Sequence, residues 1–189
     1  MEHVICPLSI VPVRKDPSDR AEMVTQWLFG ETAEVLERQE NWSHLRFDHD
    51  GYEGWVDNKQ LALCETPNFD PDQRVIDLSS IVDLGDRQVL LPYGAVLPFY
   101  ADGSILFLGQ RVPVNAVTSH GHSGERMELI ETFMHPFLGA PYLWGGRTPS
   151  GVDCRGLTQM LFMLMGIYLP RDAAQQAEEG DTVELLDLA

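Results

Sequence analysis

Apolar residues in the first third of the chain come in short bursts separated by turn-forming residues. VICPLSIVPV is followed by the polar turn KDPSDR, then by WLFGETAEVLE, NWSHLRF and GYEGWV, with Gly- or Asp-rich breaks between them. Bursts this short, at this spacing, predict the strands of a small barrel over residues 4–63. Residues 66–73 (TPNFDPDQ) are rich in Pro and Asp and predict a linker. A second β-rich block covers about 74–117. Its segments VLLPYGAVLPFY and ILFLGQRVPV, joined by Asp102-Gly103, predict a hairpin and with it a second barrel.

From Ser123 the period lengthens. Met127, Ile130, Phe133, Met134 and Phe137 fall on one face at helical spacing, and Ser123 can cap that helix. A Gly- and Pro-rich loop at 139–151 precedes a second helix over about 154–165. Leu157, Leu161, Phe162, Leu164 and Met165 make it apolar nearly all round, which predicts burial on several sides. A third helix is predicted from Asp172, where Asp172 and Gln175 read as a capping box and Gly180 as a stop.

The chain has 189 residues, 44% of them apolar, enough for one large domain or two to three small ones. Thirteen basic against 29 acidic side chains give a net charge of -16, which repels phosphate backbones and anionic headgroups. Nucleic acid and membrane surface are therefore not expected as partners. The N-terminus carries Glu2 and His3 where a secretory leader carries basic residues, and Pro7 and Pro12 interrupt its apolar run. No stretch approaches the length of a membrane span. Three widely separated cysteines, Cys6, Cys64 and Cys154, fit reduced thiols in a cytoplasm and have no metal-ligand spacing. No metal or other cofactor is expected.

Cys154 stands directly ahead of the second helix, in the run PYLWGGRTPSGVDCRG. A helix N-terminus can lower a thiol pKa from about 8.5 toward neutrality. Its backbone N–H groups also point to where a tetrahedral oxyanion would form. With Gly156 leaving the approach open, the arrangement suits acyl transfer, although a cysteine heading an apolar helix is also commonly an inert packed thiol. Asp153 is read as the helix cap.

NWSHLRFDHDGYEGWVDNKQL resembles the closing strands of bacterial Src-homology-3-like domains, with Trp42, Leu45, Tyr52, Gly54, Trp55 and Val56 filling the pattern. From about residue 124, the ordered motifs YLWGG, GVDCRGL and GIYLPRDAAQQ resemble the NlpC-type cell-wall cysteine peptidases, papain-like enzymes acting on peptidoglycan stem peptides. The resemblance implies an α+β fold: two small Src-homology-3-like barrels (1–65 and 74–118), then the N-terminal helical half of a papain-like peptidase domain (124–189). It implies Cys154 as nucleophile and Tyr142 beside the oxyanion, where the alternative for Tyr142 is a core aromatic. Family members with such barrels hold the free amino group of an N-terminal L-alanine on an aspartate in the P-R-D segment, so Asp172 is either that ligand, a helix cap, or both. The first barrel lends an aromatic side chain there, for which Tyr52 is the candidate against a plain core strand residue. The implied activity is cleavage of the γ-D-glutamyl to diamino-acid bond in L-Ala-γ-D-Glu-diamino-acid peptides during wall recycling, with murein peptides as partners.

Two departures qualify the resemblance. Arg155 replaces the serine that usually follows the nucleophile. Its guanidinium can lower the thiol pKa and pair with the D-glutamate carboxylate, or block the groove, or point to solvent. All six histidines (His3, His44, His49, His120, His122, His135) precede Cys154, whereas the family base follows it. Losing base and acid assistance costs about 10²–10⁴-fold each, so the expectation is a chain inactive as written, with polypeptide past Ala189 supplying the histidine. His120 and His122 fall in a Gly/Ser-rich connection and are not expected to substitute or to bind metal. The sheet that would cover the Cys154 helix is also not read, which predicts an uncovered apolar face and self-association unless the chain continues. The rival function is a binding module for wall peptides built on a degenerate peptidase; an acyltransferase or amidase on the same fold is the third.

Overall fold

The computed structural model describes residues 2–65, 73–120 and 126–181. The linker expected at 66–73 lies outside these except for Gln73, as do Ser123 and His122.

Seven antiparallel strands form one sheet: β1 (His3–Ile5), β2 (Ile10–Arg14), β3 (Met23–Leu28), β4 (Thr32–Arg38), β5 (Trp42–Phe47), β6 (Glu53–Asp57) and β7 (Ala62–Leu63). The order is β3-β2-β6-β5-β4-β1-β7. Alternation sends Val11, Val13, Trp27, Leu45, Phe47 and Val56 inward, where they form one core. The expected strand run at 4–13 is broken at Cys6, because Cys6 N–H bonds back to Glu31 and its thiol to the Leu8 carbonyl. Cys6 is fully buried, and burial pushes its thiol far above the ordinary range.

The second block is built from short ladders: β8 (Gln73–Val75) with β13 (Thr118–His120), β9 (Ile81–Asp83) with β10 (Gln88–Leu90), and β11 (Ser104–Phe107) with β12 (Gln110–Pro113). The hairpin lies inside ILFLGQRVPV, not across Asp102-Gly103 as expected. It turns at Leu108-Gly109, both at positive φ, and Phe107 faces Gln110. Asp102-Gly103 makes a tight turn as well, but it joins only the single bridge between Ala101 and Ser104. His120, expected in a loose connection, ends β13 opposite Gln73. Ile5 and Phe29 of the first block complete this second core.

Helix α1 (Arg126–Met134) runs into a short 3-10 turn (His135–Phe137). Phe133 and Phe137 of its expected apolar face are buried, but Met134 is exposed. The ladder of β14 (Arg147–Thr148) and β15 (Gly151–Val152) leads to α2 (Cys154–Leu164), and α3 (Ala173–Glu178) follows. Met160, Leu161 and Leu164 of α2 share a third core with Leu28, Tyr93, Phe133 and Phe137. The first two blocks and α1 therefore cover this helix, so the uncovered face expected from sequence shrinks to half-buried residues such as Phe162. Each large apolar side chain removed from water contributes about 1.5–3 kcal/mol. Among the described residues no helix is long and apolar enough to cross a membrane.

A buried ionic hub joins the three parts. Glu31, in the turn after β3, accepts two bonds from Arg147 at 3.0 Å each and one from Arg74 at 3.4 Å; all three side chains are about 1% exposed. Arg147 also donates to the Gln26 carbonyl, and Arg74 to the Gly94 carbonyl. Burial pushes the Glu31 carboxyl up, but Arg147, His49 and Arg74 outweigh it and hold it at about 2.

Candidate active site

Asp153 sits in extended conformation before α2 and its Oδ1 accepts the Gly156 N–H at 2.7 Å, a capped helix start as expected. Its Oδ2 accepts from Gly145 N–H at 2.9 Å, Arg171 at 2.9 Å and Arg155 at 3.1 Å. Burial works against ionisation of Asp153, yet the Arg171 bond and the Gly156 and Gly145 N–H groups hold its carboxyl below the ordinary range. One side chain thus fixes the glycine loop, the helix start and the segment after α2.

Cys154 is the first residue of α2 and is exposed, which sets it apart from the inert packed thiol. Gly156 does not open the approach to it. The glycine is buried, and a Cβ there would lie 2.1 Å from the Gly146 carbonyl oxygen, so its bare backbone lets the loop pack on the helix.

Tyr142 is 69% exposed and bridges Val152, so it is no core aromatic. Trp144 is half exposed and donates to Glu22 at 2.7 Å, and the Arg155 guanidinium lies 4.5 Å from its ring centroid. Arg155 does not point to solvent. It is 17% exposed and bonds Asp153 and Asp172, the latter at 3.1 Å.

Asp172 occupies the N-cap position of α3 but makes no capping bond there, and Gln175 closes no capping box. The charged partner Arg155 has taken the carboxylate instead. Gln176 braces the turn by donating to the Pro170 and Arg155 carbonyls.

Tyr52 is half-buried, and its N–H bonds Asp50. Burial and the Asp172 charge push its hydroxyl pKa up. It lines a cleft of about 330 Å³ together with Lys15, Glu22, His44, Glu53, Arg155 and Asp172. The structure therefore gathers Tyr52, Arg155 and Asp172 in one place, with Cys154 next to Arg155 in the chain. Trp144, which the sequence suggests as a shaper of the loop, belongs to the same constellation, as does Arg171, which the sequence does not single out: it stands in the P-R-D run, but its partners Asp153 and Thr25 are remote. His3, His44 and His49 pair with Asp48, Glu53 and Asp50 in the first block. Among the described residues no cluster of three or more His, Cys, Asp or Glu could hold a metal ion.

The site is thus an exposed cysteine heading a buried helix, backed by a glycine loop and flanked by a strand-rich unit. Residues 13–61 match the bacterial dipeptidyl-peptidase Sh3 domain, and residues 139–187 match the NlpC/P60 family. The part of the chain that carries Cys154 is thus similar to the NlpC/P60 family. It is 32% identical over 180 residues to a γ-D-glutamyl-L-lysine dipeptidyl-peptidase of Bacillus subtilis, covering 87% of this chain and 60% of that one. It is 25% identical to dipeptidyl-peptidase 6 of Lysinibacillus sphaericus, covering 84% and 68%. The chain thus spans 60% of the length of the first relative. A crystal structure of an NlpC/P60 family protein from Bacillus cereus shares the fold, with a TM-score of 0.78 at 18% identity over 97% of this chain and 79% of that one.

Proposed function

We propose that the full-length protein is a cytoplasmic cysteine peptidase of peptidoglycan stem peptides, cleaving after γ-D-glutamate in L-Ala-γ-D-Glu-diamino-acid peptides. The observation that carries this reading is the cleft: Tyr52, Arg155 and Asp172 line one cavity, and the exposed Cys154 is the chain neighbour of Arg155. The first relative's name supplies matching chemistry, since a dipeptidyl-peptidase needs a free ammonium two residues before the bond it cuts. Asp172 takes that ammonium with its carboxylate, and Tyr52 closes the end of the cleft. Cys6 and Cys154, both free thiols, support a reducing compartment.

In the reaction the Cys154 thiol loses its proton to a general base, and sulfur attacks the γ-carbonyl carbon. The C–N bond breaks, the diamino acid leaves as a protonated amine, and a thioester to Cys154 remains. Water then hydrolyses the thioester, releasing the dipeptide and restoring the thiol. Tyr142, exposed on the loop before α2, stands at the oxyanion side. The finer architecture belongs to the same reading: Src-homology-3-like barrels at 1–65 and 74–118, then the helical half of a papain-like domain from 124. The seven-stranded sheet and a second core drawn mostly from residues 75–114 support it.

The test is hydrolysis of L-Ala-γ-D-Glu-L-Lys by the full-length protein, followed as release of lysine. Cys154→Ala abolishes it; turnover retained in that variant refutes the role of the thiol. Peptide binding without turnover in the unmodified protein would instead favour a binding module.

A further inference from the structure

We infer that Gln159 and Asp50 are positioning residues, whose hydrogen bond fixes how far the end wall of the cleft stands from the Cys154 thiol. The inference rests on the function proposed above and adds to it the joint that keeps the cut two residues from the amino end of the peptide.

The buried side chains of α2 are Met160, Leu161, Met163 and Leu164, with one polar exception, the fully buried Gln159. Its amide nitrogen donates twice, to Asp50 Oδ2 at 2.8 Å and to the Leu169 carbonyl at 3.0 Å. Its amide oxygen has no partner among the described residues. Packing alone does not call for an amide here, since an apolar side chain of the same size fills the space with no polar atom to satisfy.

The two acceptors come from the two segments that make the end wall. Asp50 lies in the turn between β5 and β6, where its Oδ1 accepts the Tyr52 N–H at 2.9 Å. Leu169 stands three residues before Asp172 in the run Leu169-Pro170-Arg171-Asp172. Gln159 itself follows Cys154 by five residues, about 7.5 Å along the same helix. One amide therefore ties the Tyr52 turn and the Asp172 segment to the helix that presents the thiol. The joint is firm: His49 pairs with the same Asp50 oxygen at 3.3 Å, and both of those side chains are buried. Burial pushes the Asp50 carboxyl up, but His49, Arg147 and the Tyr52 N–H outweigh it and hold it well below the ordinary range, so it remains an acceptor. Neither Gln159 nor Asp50 lines the cleft, and both act through Tyr52 and Asp172.

The experiment compares L-Ala-γ-D-Glu-L-Lys with Gly-L-Ala-γ-D-Glu-L-Lys, which is one residue longer at the amino end. Release of lysine is measured with the full-length protein, Gln159→Met, Asp50→Asn and the double variant; affinity is measured by calorimetry on the same proteins carrying Cys154→Ala. Methionine keeps the volume and removes the donor, so Gln159→Met should melt no lower than the unmodified protein. Its kcat on the shorter peptide should fall by about 10–100-fold with KM within about threefold, the pattern of a displaced thiol beside an intact binding end. Its preference for the shorter peptide over the longer should shrink by about tenfold, in turnover and in affinity, because the released wall gives way. Asp50→Asn sets a donor against a donor and should act alike, and the double variant should be no worse than either single change. An unchanged preference in Gln159→Met overturns the inference, even where melting temperature and turnover of both peptides drop together. A double variant whose loss is the product of the single losses overturns it too. Should Asp50→Asn, which leaves His49 without its partner, not fold, Gln159→Met decides alone. Absence of turnover of both peptides by the unmodified protein would count against the peptidase reading alone, because the calorimetric ratio still measures the placement of the wall.

Discussion

Replacing Glu31 by glutamine tests the ionic hub that fuses the three parts of the chain. The substitution keeps the shape but removes the negative charge that faces two guanidinium groups, both about 1% exposed. It also puts an amide donor where carboxylate oxygens now accept from Arg147, Arg74 and the Leu28 N–H. Breaking one side of a buried ion pair costs about 3–5 kcal/mol, because the remaining charge stays buried without compensation. That is a large share of the roughly 5–15 kcal/mol that holds a domain folded. The pH dependence gives an independent reading. The Glu31 carboxyl titrates at about 2 in the folded protein against an ordinary 4.5. A depressed carboxyl contributes its stability above the unfolded value and loses it as pH falls toward the folded value. A displacement of this size is worth about 3 kcal/mol, lost between roughly pH 4.5 and 2. Urea unfolding followed by circular dichroism should show Glu31→Gln less stable by about 3–5 kcal/mol at pH 7. Below pH 4.5 its stability should fall less steeply than that of the unmodified protein. A loss below about 1 kcal/mol at neutral pH, or parallel acid limbs, would refute the hub as the fastening of the fold.

Two smaller substitutions probe the packing of α2 and its neighbours. Gly156→Ala forces a Cβ against the Gly146 carbonyl at 2.1 Å; thermal melting should drop by several degrees, and hydrolysis by the full-length protein should fall with the displaced glycine loop. Tyr93→Phe removes the bond from the Tyr93 hydroxyl to the Phe133 carbonyl and should cost about 1 kcal/mol in urea unfolding without changing hydrolysis.

What sequence could reveal followed the range of the interactions. The start of α2 was legible because its cause is local: an aspartate able to cap, a cysteine, then an apolar run. Its cover was not, because Leu28 and Tyr93 come from segments far away in the chain. The 104–113 hairpin was misread for a local reason. Asp-Gly is a strong turn signal, whereas Leu108 at positive φ runs against the ordinary preference of a leucine, and only Gly109 marks that turn. Asp172 shows a local rule overruled. Its backbone satisfies the N-cap position, but an arginine 17 residues earlier offers a stronger, charge-assisted partner. The hub was invisible, since Glu31 and Arg147 lie 116 residues apart and neither carries a motif. Tyr52 reached the cleft list only through the resemblance of its strand pair to a known domain; nothing in the local pattern separates it from a core tyrosine.

The contacts of one short segment decide how the first block takes part in the site. Residues 22–26 enter and form β3, at one end of the sheet order. Glu22 accepts from Trp144, the Met23 carbonyl lies where a side chain on Gly145 would have to go, Thr25 accepts from Arg171, and Gln26 accepts from Arg147. Each of those partners belongs to the glycine loop before Cys154 or to the segment that carries Asp172. The strand unit is therefore the seat on which the loop and the aspartate are placed, more than a wall-binding accessory on a tether. Removing it would leave Arg147 and Arg171 without partners they now hold in the interior, and would take Lys15, Glu22, His44 and Tyr52 out of the cleft. The placement of the cleft residues and of the Cys154 loop is consequently set by a single interface, and Arg155, next to Cys154 in the chain, lies on the same cleft wall.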